Sequence, residues 1–206
     1  LKQNGEQITS DIIGDLLTEY STMHLKQEGL YERYTNEDVP INSRTFDDEN
    51  KINNQINNDF FSEIVDTKTG YFAGNPVNYN YYGTDQEKEH LQDFITLENI
   101  ADIDSETAKM AAITGMGARL CYIGYDGKPH VMNVNPWECI WVYDRSIDDV
   151  QYALRVYDVE DHTGEKVVTK KRIEWYDSKM VYFYIGDHNG YYPDTTEEPK
   201  PHMFQG

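Results

Sequence analysis

The sequence predicts an α+β fold in which N-terminal helices pack on an antiparallel β meander, and three observations predict it. Apolar residues recur at helical spacing as far as Thr114. From Ala118 onward the period turns to alternation, and no strand-helix-strand unit breaks the second half.

Ile12, Ile13, Leu16, Leu17, Tyr20, Met23 and His24 share one helical face behind Thr9, whose hydroxyl suits an N-cap. A helix is therefore predicted over 9–27, with Gly29 marking its end or a bend. The polar stretch 35–50 contains Pro40 and reads as a loop. Ile52, Ile56, Phe60 and Ile64, with Phe61 and Val65 beside them, form the clearest helical stripe, predicted over 51–68 behind Asn50 and expected to face the core. Asn53, Asn54, Asn57 and Asn58 are each up to ~0.7 kcal/mol worse than Ala in a helix, so packing has to hold this one together. Gly70 and Gly74-Asn75-Pro76 stop it.

A short strand is predicted at 77–82, then helices at 87–99 and 105–114, the second capped by Asp104 and closed around Gly115 and Gly117. Strands at 119–125 and 130–134 flank Asp126-Gly127, the strongest short-range hairpin signal available. Further strands at 139–143, 152–159, 167–175 and 180–185 are punctuated by Asp144, by His162-Thr163-Gly164 and by Asp177-Ser178. The closing segment, rich in Pro, Thr and Glu, reads as a linker. The chain thus divides into a helix and loop at 1–50, an α+β core at 51–190 and a linker at 191–206.

Bulk properties exclude several classes of protein. Against 18 Lys and Arg stand 37 Asp and Glu, a net charge of -19 that opposes general attraction to a phosphate backbone. Seventeen Tyr, 7 Phe and 3 Trp supply amphipathic bulk for a core and argue against disorder throughout. No apolar run approaches the ~20 residues of a membrane-spanning helix, and the N-terminus lacks a signal-peptide pattern. Cys121 and Cys139 fall in different predicted strands, so a reduced cytosolic origin is the simpler reading, with a bridge between them left open. The chain begins at Leu1 and stops in a loop-like stretch, which reads as a piece of something longer.

Candidate chemistry is sparse. Gly115-Met116-Gly117 follows a helix instead of a strand, and Leu120 stands where a dinucleotide fingerprint needs its third glycine, so a flexible corner is the better reading. Asp102 with Asp104, Asp144 with Asp148 and Asp149, and Asp158 with Glu160 and Asp161 are the groupings from which an acid/base or metal site could be assembled. A chain this acidic produces such clusters without purpose. The histidines His24, His90, His130, His162, His188 and His202 show no i,i+4 pair, and neither cysteine has a partner at metal-ligand spacing. Tyr79, Tyr81 and Tyr82, and later Tyr182, Tyr184, Tyr191 and Tyr192, fit a core or a protein interface better than a platform for sugars or bases. No catalytic, cofactor-binding or metal-binding residue is assigned, and no cofactor is expected.

The run from Asn50 to Val77, with Asn53-Asn54-Gln55-Ile56-Asn57-Asn58-Asp59-Phe60-Phe61 at its centre and Gly74-Asn75-Pro76 near its end, closely resembles the signature of portal proteins of siphophages infecting Gram-positive bacteria. Leu30-Tyr31-Glu32-Arg33-Tyr34, the helix running into Gly115-Met116-Gly117, Asn135-Pro136-Trp137-Glu138-Cys139-Ile140-Trp141-Val142-Tyr143-Asp144 and Leu154-Arg155-Val156-Tyr157 extend the likeness from about His24 to the Pro-rich end.

The resemblance implies the outer wing of a structural subunit, not an enzyme, in a ring of usually twelve copies at one capsid vertex, through which DNA is packaged and ejected. Its implied partners are other portal subunits, capsid protein and scaffolding protein. Terminase and head-tail connector proteins would be met through a stem, clip, tunnel loop and crown expected beyond this chain. Duplex DNA would pass through the full ring without tight binding by this piece. The implied location is the portal vertex of the virion, reached from the host cytoplasm during assembly, with no membrane involved. Two other readings compete: a carbohydrate- or peptide-binding β-module, resting on the tyrosines, and a metal-dependent hydrolase, resting on the Asp clusters.

Overall fold

A 25-residue amphipathic segment and a run of alternating strands account for most of the architecture. The computed structural model describes residues 8–37, 39–47, 50–143, 150–162 and 167–202. The chain forms two compact units, one from Leu1–His24 with Leu120–Gly206 and the other from Leu25–Arg119, a different division from the three segments expected above. Helix α1 (Ser10–Tyr34) contributes residues to both. It passes through Gly29, where an end or a bend was expected, and continues to Tyr34. An isolated glycine costs roughly 1 kcal/mol relative to Ala, which the helix formers around it offset.

In the first unit the predicted meander forms. Hairpin β1 (Ala118–Ile123) and β2 (Pro129–Val134) turns at Asp126-Gly127, where Gly127 takes φ 73°. Strands β3 (Cys139–Tyr143), β4 (Val150–Asp161), β5 (Val168–Tyr176), β6 (Met180–Asp187) and β7 (Gly190–Pro193) then pair in chain order, each antiparallel to the last. A short β8 (Lys200–Pro201) also pairs with β6. The expected linker 191–206 therefore begins inside the sheet, because Asp187–Gly190 closes a tight turn and returns Tyr191 and Tyr192 alongside Ile185 and Gly186.

Strand alternation decides which side chains are buried. The register sets Ile140 opposite Leu154 and Leu154 opposite Trp175, and sets Val156 opposite Ile173 and Ile173 opposite Tyr184. This face and α1 form one apolar core in which Ile13, Ile140 and Ile173 are fully buried and Ile12, Leu16, Leu17 and Tyr20 pack at the margin. Polar ties fix the helix on the sheet. The Tyr20 hydroxyl donates to the Trp141 carbonyl at 3.1 Å, and the Tyr191 amide donates to Ser10 Oγ at 2.9 Å.

The second unit holds α2 (Phe60–Ala73), α3 (Asp85–Leu97) and α4 (Ile100–Thr114). Here three expectations are corrected. The helix predicted over 51–68 starts nine residues late. Residues 52–59 are irregular because their asparagines bond elsewhere: Asn53 Nδ2 donates to the Arg44 carbonyl at 2.7 Å, and Asn57 Nδ2 donates to Asn36 Oδ1 at 2.6 Å. Such side chains compete with the helical backbone, and Asp59 then caps α2 by accepting from the Ser62 amide at 3.2 Å.

The strand predicted at 77–82 is irregular and exposed. Asp104 is no cap, since α4 begins at Ile100 behind Asn99, and its carboxylate instead accepts from Arg119 Nη2 at 2.8 Å and from the Tyr79 hydroxyl. At the far end Gly115-Met116-Gly117 makes the expected corner. Gly115 takes φ 86° and its amide donates to the Ala111 carbonyl, while a Cβ at Gly117 would sit 2.7 Å from the Thr107 methyl.

Candidate interaction surface

Two features stand out chemically, one on each unit. On the sheet face turned away from α1, the register sets Arg155 opposite Glu174 and Tyr157 opposite Arg172. Glu174, only 9% exposed, accepts the Tyr157 hydroxyl at 2.8 Å and the Tyr176 hydroxyl at 2.7 Å. Arg155 lies over the Tyr157 ring at 4.3 Å and donates Nε to Glu138 at 3.1 Å. Burial, with the Glu174 charge adding to it, pushes both tyrosines far above their ordinary range, so each keeps its proton as a donor. Glu174 and Tyr176 line a cavity of about 350 Å³ with Leu120–Tyr125, Val181, Phe183 and His202. His202 Nε2 lies 2.7 Å from the Asp177 carbonyl, and its ring meets Tyr176 edge-on. Both carboxylate oxygens of Glu174 are thus taken by tyrosine hydroxyls. The cluster is a buried network that sequence reasoning missed, because only the cross-strand register brings Tyr157 to Glu174.

The predicted carboxylate groupings do not converge. Asp158 pairs with Lys171 at 3.1 Å across β4 and β5, Glu160 lies 3.4 Å from His162, and Asp104 is held by Arg119. Asp144, Asp148 and Asp149, and the Asp161 side chain, lie outside the described residues. Among the described residues no three His, Cys, Asp or Glu are placed to hold a metal ion. Of the histidines, His130 pairs with Asp126 at 3.1 Å and stacks on Tyr122, and burial lowers His24. Cys121 and Cys139 are both free thiols, the first exposed and the second buried.

The second feature is an apolar stripe on the second unit. Helix α2 carries apolar residues on two faces. Val65 is buried, with Phe61, Thr69 and Ala73 half-buried on the same side, and α4 packs against the helix. Phe60, Ile64 and Tyr71 occupy the other face and are 65%, 59% and 95% exposed. The stripe expected in the core is therefore the one left outside. Ile52 and Ile56 precede it and Phe72 adjoins it, all exposed, as are Tyr79, Tyr81 and Tyr82 further on. Tyr182, Tyr184 and Tyr191, by contrast, belong to the core under α1. Monomers rarely leave so many large apolar groups contiguous in sequence and exposed unless another molecule covers them.

Comparison with known proteins agrees with the resemblance. A model of the family described as phage portal protein, SPP1 Gp6-like, matches residues 17–206. The portal protein of Bacillus phage SPP1 is 28% identical over 165 residues, which cover 77% of this chain and 31% of that protein. This chain belongs to the SPP1 Gp6-like phage portal protein family. It spans about a third of the length of the curated relative it matches.

Proposed function

We propose that this chain is the outer, wing-like part of a portal subunit, a structural and non-enzymatic component of the ring through which phage DNA is packaged and ejected. The family match over residues 17–206 carries this reading. Contact surface and not chemistry is what this part supplies: the Glu174 carboxylate is taken up by two tyrosine hydroxyls, and the exposed stripe of Phe60, Ile64 and Tyr71 is apolar. Neighbouring subunits, capsid protein and scaffolding protein are the partners this part meets, while terminase and head-tail connector proteins dock on parts of the subunit outside this chain. The protein works at the portal vertex of the virion and is assembled there from the host cytoplasm. Size-exclusion chromatography with light scattering on the full-length protein tests the assignment. The expected result is one species of ten or more subunits whose mass does not change with concentration; a monomer or dimer at micromolar concentration contradicts it.

A further inference from the structure

The exposed stripe of α2 has a charge pattern that selects its partner. Phe60, Ile64 and Tyr71 fall within about 40° of one another around the helix, given ~100° per residue, and Ile56 extends the apolar surface N-terminally. From Lys51 to Tyr82 two basic residues, Lys51 and Lys68, stand against three acidic ones, Asp59, Glu63 and Asp66, a net charge of -1 in a chain of -19. The segment is therefore nearly neutral, and the rest of the chain carries almost all of the excess charge.

Charge of that size repels another molecule of the same sign over roughly a Debye length, ~8 Å at physiological salt, so two acidic bodies make close contact where their charge is lowest. A basic partner would be drawn elsewhere, to the acidic surfaces. Exposed Phe, Tyr and Ile with few charges are also the composition of an interface centre. We propose that the Phe60-Ile64-Tyr71 stripe docks on a second copy of this chain, as one side of the contact between neighbouring subunits. In a ring the contact is heterologous, so the stripe meets a different patch on its neighbour and not its own equivalent. This inference rests on the portal reading.

Two measurements on full-length protein test it. Ile64→Glu places a charge at the centre of the stripe, at a position 59% exposed where the subunit fold tolerates it. The expected result is at least a tenfold loss of ring by light scattering, with an unchanged circular dichroism spectrum, while His90→Glu on α3 leaves the ring intact. The second measurement needs no variant. Rings co-assembled from light and heavy nitrogen-labelled subunits are treated with a lysine crosslinker, and links from Lys68, at the edge of the stripe, are sorted by isotope. Mixed-isotope links from Lys68 support a second copy as the occupant. Same-isotope links alone would show that the rest of the same chain covers the stripe, and overturn the proposal. Absence of Lys68 links, or rings of Ile64→Glu as abundant as wild type, overturns it while leaving the portal reading standing. Failure of the wild-type protein to form rings removes the portal reading itself.

Discussion

Glu174 shows how a single carboxylate becomes structural. Two tyrosine hydroxyls donate to it beneath the surface, so Glu174→Ala is expected to cost about 1–3 kcal/mol for each hydroxyl left unpaired. A urea titration showing a loss below ~0.5 kcal/mol would mean that water replaces the carboxylate freely. The same tyrosines set an alkaline limit. An unfolded tyrosine loses its proton near pH 10, whereas Tyr157 and Tyr176 hold theirs well above that, and Tyr34 is pushed up to about 12 by burial and by Asp66. The fold keeps protons that the unfolded chain releases, so the stability they supply is full below pH ~10 and falls as pH rises past it. A urea midpoint that rises above pH 10 would contradict this. The thiols differ in the same way: Cys121 is exposed, while burial pushes Cys139 up to about 12. A thiol reagent at neutral pH should titrate one cysteine per native chain and both in denaturant. The Tyr157–Glu174 pairing was not legible in the sequence, because it depends on how β4 and β5 stand opposite one another, whereas Glu174 and Tyr176 are two apart in β5 and share a face by alternation.

At the scale of elements, the strands were legible and α2 was not. Alternation and Asp126-Gly127 placed the ends of β1 to β6 to within about two residues, since local chemistry and global packing agree there. In α2 the sequence carries two apolar stripes, Ile56-Phe60-Ile64 and Phe61-Val65, and periodicity cannot say which is covered. The asparagines then remove the first turns by bonding to Arg44 and Asn36. The structure orders the costs accordingly. Phe60→Ala is expected to change subunit stability by less than about 1 kcal/mol, whereas Val65→Ala, at a buried site, loses about 1.5–3 kcal/mol. Chemical denaturation of the two variants checks the order, and a larger loss at Phe60 would put the outer stripe in the core after all. The tyrosines at 79, 81 and 82 look like a strand by alternation alone, but among the described strands none pairs with this segment, and it is anchored instead through Tyr79 to Asp104.

For the whole molecule, charge and family lead to the same reading. A net charge of -19 predicts no measurable affinity for duplex DNA at physiological salt, which a gel-shift assay can check. Tight, salt-sensitive binding there would contradict it. The fold class and the portal resemblance were both readable from residues, because a long signature and a change of period survive in the sequence. The division into two units was not, since it depends on α1 returning to the sheet formed by the second half. Single-particle electron microscopy of the full-length protein shows whether this chain is the outer part of a portal ring. The expected image is a closed ring with a central channel, in which the fold of this chain recurs once per subunit outside the channel wall. Isolated particles without a channel, or a ring whose channel is lined by this fold, would contradict it.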